Sequence, residues 1–553
     1  MKVRLIVNSL FFIIWMGLIF GLVYSYQWGR TLWIEFLLEW ADKEYFSVQL
    51  NELLTKERFI LIHLFFFIFC SVLIAIRAWI WRTCLQFYSG SKKYFKEIVF
   101  FYKSLAINEL GIFIFLLVLF FGRTFYLNHS LALQYDEVWN FVHFSSRGMF
   151  FSWLAPHNNH ILYTIISSFF YQIGIDSFWS VRLPNLIVSL FSICLIYYFL
   201  RARYKQYLTM TVLVLIFATG HFTFYSYLGR GYGLSLFFML LIWVLFDMLS
   251  RNSVLTQTET KLFVLVASFL GILSNYNFLL FLVPFFLINL IYAKEPFLKW
   301  KQIGFICIML SIMLLPQVLG LLISLNYQQV LREFSFLQHL TYFDLLADWF
   351  FFGKGYDGIS FLLLALVLPV FFFSSFIEKK LMAVILVMLV IFTFCGLHLP
   401  ERTWHFIPVF LILLWPFQRL SKSSIPVLIP ITIIWTYFSF NHYFIRWSAS
   451  IDKDMLSLQQ RMKEMSIDKT QEIYLFSKYE KPFIEFYLND NSPSLFMYYP
   501  DSKNFLPWES FKGEWVLVDY DNFKPPGEIV DLLKSELYTR AYQDPRLVLY
   551  HKK

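Results

Sequence analysis

The chain has 553 residues, 58% of them hydrophobic and only 15% charged, where an ordinary soluble domain carries about 25% charged residues. That balance, with Phe occurring 68 times, excludes a disordered chain, a fibrous chain and an ordinary soluble enzyme; it is the composition of a polytopic membrane protein. The net charge of +9 is no nucleic-acid footprint: residues 444–553 hold 15 basic against 17 acidic residues, so the excess lies between the hydrophobic runs of 1–443, where it orients helices.

The start, Met1-Lys2-Val3-Arg4, leads into an apolar run to about Tyr24 with no small-residue cleavage site, and reads as an uncleaved anchor helix. Further runs lie near 59–81, 106–122, 181–200, 207–226, 232–250, 262–275, 277–293, 303–325, 358–377, 381–397, 405–421 and 425–443. At roughly 20 residues per span these make about thirteen transmembrane helices. The 262–275 run is short enough for a re-entrant pair with its neighbour. Residues 160–175 are apolar too, but a span there would break the charge alternation, and Tyr163, Phe169, Phe170 and Tyr171 suit a helix at the outer interface.

Lysine and arginine mark alternate loops: Arg82 to Lys103, Arg201 to Lys205, Arg251 to Lys261, Lys294 to Lys301, Lys379-Lys380 and Lys422. The positive-inside rule makes these cytoplasmic and places 25–58, 123–180, 227–231, 326–357, 398–404 and the tail from 444 outside. Three regions result: 1–105 with two N-terminal spans, a core over 106–443, and a small α/β extracytoplasmic domain over 444–553. In the tail, Glu472–Phe476, Glu514–Asp519 and Leu547–Tyr550 read as strands, with helices over Lys481–Leu488 and from Pro525 to about Leu537. Four of the five cysteines lie inside apolar runs and none forms a CxxC pair, which excludes a disulfide scaffold and a Cys-ligated metal.

Candidate chemistry collects in the outer loops. Asp136-Glu137 follows the third span, where a carboxylate can work at the lipid–water boundary; two solvated loop acids are the plain alternative. His157 and His160 have metal-ligand spacing without visible further ligands, and equally suit a polar helix cap. Arg182, at the start of the next span, can snorkel to headgroups. In Leu228-Gly229-Arg230-Gly231-Tyr232 the glycines allow a tight turn, with Arg230 at the outer surface to meet an anion or to anchor the interface. Lys354 and Arg402 add cations on the same face, an arrangement suited to a phosphate-bearing lipid. Asn128-His129-Ser130 matches a glycan-acceptor sequon, a weak three-residue signal.

In order and spacing these pieces resemble the GT-C superfamily of polytopic glycosyltransferases, on the bacterial side related to protein O-mannosyltransferases and aminoarabinose transferases (glycosyltransferase family 39-like). The likeness runs over about 106–420. It rests on Asp136-Glu137, Asn158-Asn159-His160-Ile161-Leu162, Gly174, Arg182-Leu183-Pro184, the Arg230-Gly231-Tyr232 turn and the late outer turn near Arg402 to Trp404. Leu228 stands where the family shows Glu, and Asn275-Tyr276-Asn277 where it shows His-Tyr; two spans precede its usual first helix.

The resemblance implies an inverting glycosyltransferase moving a sugar from a polyprenyl-phosphate carrier to a lipid, glycan or protein acceptor outside a bacterial plasma membrane. Asp136 would be the base, with Glu137 orienting it or the acceptor. Arg230, Arg402 and Lys354 would hold the donor phosphate, and Asn158, Asn159, His160, Tyr232 and His405 would contact substrate. No cofactor is required; a divalent metal is compatible but not indicated. A transporter, which should show mid-membrane charges and a repeat, and a non-enzymatic subunit of polysaccharide assembly or export are the rival classes.

Overall fold

A computed structural model describes residues 2–41, 55–75, 77–130, 133–149, 160–250, 256–292, 406–414, 451–467, 471–476, 494–497, 513–520, 527–543 and 547–553, with a few isolated positions besides. The expected spans at 358–377 and 425–443, almost all of those at 303–325 and 381–397, and the tail helix Lys481–Leu488 lie outside these residues.

Helix α1, Lys2–Ala41, runs well past Tyr24, so the first part of the expected outer loop 25–58 is helix instead; it bends at Gly29, whose φ of 76° suits a residue without Cβ. It pairs with α2, Lys56–Ala75; Trp15 Nε1 donates to the Cys70 carbonyl at 3.0 Å. The expected loop after this span is instead one long helix, α3, Arg77–Lys103. Its polarity, which reads as loop along the sequence, is amphipathic on the helix: Lys92 and Lys96 are exposed, while Tyr94 and Tyr102 pack against the core. Gly90 lets it approach Phe263 and Glu259 closely, and Lys93 pairs with Glu259 at 2.7 Å.

Helix α4, Ile107–Ser130, is built inside out. Phe115, Val118 and Leu119 are exposed, whereas Glu109, Thr124 and Asn128 are buried. A helix with greasy outside and polar inside belongs in lipid. Burial of Asn128 also removes the sequon as a glycan acceptor in the folded protein. After it come α5, Tyr135–His143; a 3₁₀ turn at Ser145–Arg147; α6, Ile161–Gln172; and α7, Ser177–Arg201. Among the described residues, two helices are long and apolar enough to cross a membrane: Ile107–Asn128 and Ser177–Arg201.

The single span expected at 207–226 is broken into α8, Gln206–Ala218, and α9, Gly220–Tyr227. Thr219 is extended between them (φ −65°, ψ 131°), and its side chain caps α9 at Phe222 N. Arg123 makes the break tolerable inside the protein, donating to the freed Phe217 carbonyl at 2.8 Å and to Thr223 Oγ1 at 3.0 Å. Then follow α10, Tyr232–Ser250; α11, Gln257–Ser274; and α12, Phe278–Tyr292. At 18 residues, α11 is about 27 Å long and has no need of a re-entrant partner on grounds of length. Helix α13, Ile407–Leu414, packs with Phe410 against Trp243 and Phe281.

The tail begins with α14, Ile451–Glu464, and forms a five-stranded sheet. Strands β1 (Glu472–Phe476), β2 (Ser494–Met497) and β3 (Trp515–Asp519), helix α15 (Gly527–Lys534), and strands β4 (Tyr538–Gln543) and β5 (Leu547–Lys552) follow in turn. The order is β2-β1-β3-β5-β4, with β1 parallel to both β2 and β3 and the β5 pairings antiparallel. Tyr474, Phe476, Val516 and Val518 form one face, under Ile529 and Leu533 of α15. Ile473, Leu475 and Leu517 form the other, in one apolar cluster with Leu458 and Met462 of α14 and with Val138 and Phe141 of α5. The sheet therefore sits on the helix that carries Asp136.

A buried ion-pair tier at one end of the helices

Charged side chains gather in two tiers along α7. At its C-terminal end Arg201 pairs with Glu109, which also accepts from Tyr197 Oη at 2.6 Å, and just beyond, Arg203 pairs with Asp247 at 2.6 Å. At its N-terminal end lies Arg182. Nineteen residues of helix separate Arg182 from Arg201, about 28 Å at 1.5 Å per residue. That is close to the roughly 30 Å thickness of a bilayer's hydrocarbon core.

The Arg182 tier is built around Glu137. Both side chains are 0% exposed, so neither reaches solvent and Arg182 does not snorkel to headgroups. Arg182 Nη2 donates to Glu137 Oε2 at 2.9 Å and Nε to Oε1 at 3.1 Å, a two-pronged pair; Nη1 takes the Asn128 carbonyl at 2.9 Å. Phe178 and Tyr227 stack their rings on the guanidinium at 5.0 and 5.7 Å. Glu137 Oε2 also accepts from Gln134 N at 2.7 Å, fixing the start of α5, and Oε1 accepts from Gly229 N. The carboxylate is thus filled by four donors.

The glycine-rich segment is a buried joint rather than a surface turn. Asn185 Nδ2 donates to the carbonyls of Leu228 and Arg230. A Cβ on Gly229 would lie 2.6 Å from Glu137 Oε1, and one on Gly233 2.6 Å from the Tyr225 carbonyl. One on Gly231 would collide with the Ser274 carbonyl and stand 2.9 Å from His160 Cβ. The Ser274 and Tyr225 carbonyls and the side chains of Glu137 and His160 press directly on this segment, so the glycines serve close approach. Gly231→Ala is expected to destabilise the protein by about 1–3 kcal/mol or more through overpacking. Thermal unfolding in detergent measures it, and wild-type stability would contradict the packing.

This joint aims Arg230. Its side chain is 2% exposed, not on the outer surface, and Nη1 donates to the Asp136 carbonyl at 3.1 Å while standing 3.6 Å from Asp136 Oδ2. Asp136 keeps 29% of its side chain open. Adjacent acids on one helix thus face opposite ways: Glu137 closed into the protein, Asp136 open beside a buried arginine. Tyr163 of α6 is buried with them, and burial together with the Glu137 charge pushes its phenol well above the usual range.

Of the other sequence candidates, His160 begins α6, with Nδ1 3.0 Å from the Ser274 carbonyl and its ring 5.1 Å from that of Tyr232. Both are buried, and they join α6, α10 and α11 beside the Gly231 backbone. Asn158, Asn159, Lys354, Arg402 and His405 lie outside the described residues. The structure thus brings together Asp136, Glu137, Arg230, His160 and Tyr232. It adds Arg182 and Tyr163, which along the sequence read as a headgroup anchor and an interfacial aromatic, and Asn185, whose signal is its place one helical turn after Arg182 on α7. Among the described residues no three of His, Cys, Asp and Glu gather as a metal-ligand set.

The fold is shared with ArnT from Cupriavidus metallidurans. The apo structure matches over 80% of this chain and 97% of that one, with a TM-score of 0.54 and 11% identity. The structure bound to undecaprenyl phosphate matches over 81% and 98%, with a TM-score of 0.55 and 12% identity. No protein-family profile and no curated protein matches the sequence. At this identity the likeness is one of fold alone.

Proposed function

We propose that the protein is an inverting glycosyltransferase that moves a sugar from a polyprenyl-phosphate carrier to an envelope acceptor, a lipid, glycan or protein, at the outer face of a bacterial plasma membrane. The observation that carries this reading is the pairing of a half-open carboxylate, Asp136, with a buried guanidinium, Arg230, at the end of a membrane-length helix. The ArnT structure holding undecaprenyl phosphate on the same fold supports a polyprenyl-linked donor.

In the reaction, Asp136 takes the proton of the acceptor hydroxyl as its oxygen attacks the sugar's anomeric carbon. The bond from that carbon to the phosphate oxygen breaks, and its electron pair stays on the leaving phosphate. A single displacement inverts the anomeric centre. Arg230 meets the growing phosphate charge, with Arg402 and Lys354 as further cations from the outer turns. Glu137 holds the machinery through Arg182 and Gly229 rather than touching the acceptor. The tail sheet, seated on α5, lies outside with the site, and the N-terminus and the Arg201–Glu109 tier lie on the cytoplasmic side.

The test is transfer by purified protein in detergent from a panel of polyprenyl-phosphate sugars, scored by release of polyprenyl phosphate and by the anomeric configuration of the product. Arg230→Lys keeps the charge but loses the planar fork. It should lower transfer about 10–100-fold, the worth of one charge-assisted hydrogen bond, with normal insertion. Wild-type transfer by the Lys variant would leave Arg230 a structural cation. Absence of transfer from every donor, with envelope glycans unchanged in a deletion strain, would overturn the transferase reading.

A further inference from the structure

Beside the Asp136–Arg230 pair, two buried hydrogen-bond donors have no acceptor within the described residues: the Tyr163 hydroxyl and Arg230 Nε. Tyr163 is 1% exposed and lies within electrostatic reach of Glu137, Arg182 and Arg230. The nearest natural acceptor, Glu137, is already occupied by Arg182, Gln134 N and Gly229 N. A carboxylate offers about four lone-pair positions, and four donors fill them. The hydroxyl faces the bare side of Gly229, 3.1 Å from where a Cβ would stand. Buried donors of native proteins are nearly always paired, and those left open ask for a missing partner. Such a partner must offer an acceptor, and beside an arginine an anionic one is favoured.

We propose that the Tyr163 hydroxyl and Arg230 Nε together form a two-donor seat for a phosphate oxygen of the lipid-linked donor. This rests on the transferase reading for the identity of the phosphate. It assigns donor binding to a tyrosine on α6, a helix whose aromatic residues otherwise read as an interfacial belt. The seat explains why α6 is clamped to its neighbours at Thr164, whose hydroxyl lies 3.2 Å from Asn140 Nδ2 of α5, and at His160: a misplaced α6 would withdraw the hydroxyl. No covalent step is involved; Tyr163 stays protonated and donates.

The variant is Tyr163→Phe in the full-length protein, measured for thermal stability without ligand and for binding of polyprenyl phosphate, the matched polyprenol and inorganic phosphate. Deleting a hydroxyl that lacks a partner should leave the unliganded melting temperature unchanged or raised. Affinity for polyprenyl phosphate should fall about 10-fold or more, as loss of a hydrogen bond to a charged group predicts. Polyprenol binding should not change, and KM for the donor should rise more than kcat falls. Weakened inorganic phosphate binding would mark the seat as one for phosphate itself, whereas weakening for the lipid alone would tie it to the chain-bearing donor; both support the seat.

A lowered melting temperature with unchanged affinity would overturn the proposal and make the hydroxyl a structural group. Equal affinities in wild type and variant with transfer intact would overturn the seat and leave the transferase. Wild-type protein that binds polyprenyl phosphate through Tyr163 but transfers no sugar would overturn the transferase and leave the seat. Failure of wild type to bind any of the phosphates would overturn both.

Discussion

Asp136→Asn is expected to remove transfer almost completely, by about 10²–10⁴-fold in kcat, the usual contribution of a general base. The two side chains are nearly isosteric, and Asp136 keeps 29% of its side chain in the open, so the substitution removes a basic oxygen without opening a cavity. Its link to Arg230 is loose on the carboxylate side, 3.6 Å, and firmer through the Asp136 main-chain carbonyl at 3.1 Å, which Asn retains. Arg230 should therefore hold its place, and donor affinity should stay within a few-fold of wild type. Surface-type substitutions usually move stability by no more than about 0.5 kcal/mol, so unfolding should be unchanged. The measurement is turnover with a polyprenyl-phosphate sugar beside a donor-binding assay. Full turnover would move the search for the base to Asp344, Asp348 and Asp357, carboxylates in or beside the 326–357 segment that the charge pattern of the sequence assigns to the outside.

The positions of the candidate residues are legible along the sequence; the partners that the structure gives them are not. Hydropathy and charge locate α4, α7, α10 and α12, because lipid demands long apolar helices, and motif order locates Asp136, Arg182 and Arg230 at their ends. What hydropathy cannot show is direction. Successive residues on a helix point about 100° apart, so Asp136 and Glu137 look equivalent in the chain, yet one faces outward and the other is sealed against Arg182, 45 residues away. Arg230 reads as surface because a charged residue in a short turn ordinarily is. It is buried because Gly229, Gly231 and Gly233 let Glu137, the Ser274 carbonyl and the Tyr225 carbonyl close in on the segment that carries it. The 207–226 run reads as one span since no Pro or charge marks its break; the break depends on Arg123, far off in sequence, taking the Phe217 carbonyl.

The tail shows the same limit in another form. The buried strands Glu472–Phe476, Trp515–Asp519 and Leu547–Lys552 announce themselves by apolar runs. Edge strands β2 and β4 do not. The first is only four residues long, and the second carries Thr539, Arg540 and Gln543 on an open edge, where polar residues blunt unwanted pairing.

Glu137→Gln is expected to act on folding before it acts on chemistry, the reverse of Asp136→Asn. From sequence, Glu137 reads as an acid that orients its neighbour, and its amide should then be mild. In the structure its carboxylate neutralises Arg182 where neither side chain touches water, and it accepts from Gly229 N as well. The amide removes the negative charge and turns an NH₂ group toward donors, so Arg182 is left charged, buried and partly unpaired. Breaking one partner of a buried pair typically costs about 3–5 kcal/mol. The Gly229 anchor loosens with it, and Arg230 follows, so transfer should fall together with stability. Thermal unfolding in detergent should show a large drop, and amide exchange should quicken over 228–232. Pairing Glu137→Gln with Arg182→Met, which removes the orphaned charge, should recover part of the stability but not the activity, because the Asn128 and Gly229 contacts stay lost. A Glu137→Gln protein as stable as wild type would mean that the Glu137–Arg182 pair does not hold the site.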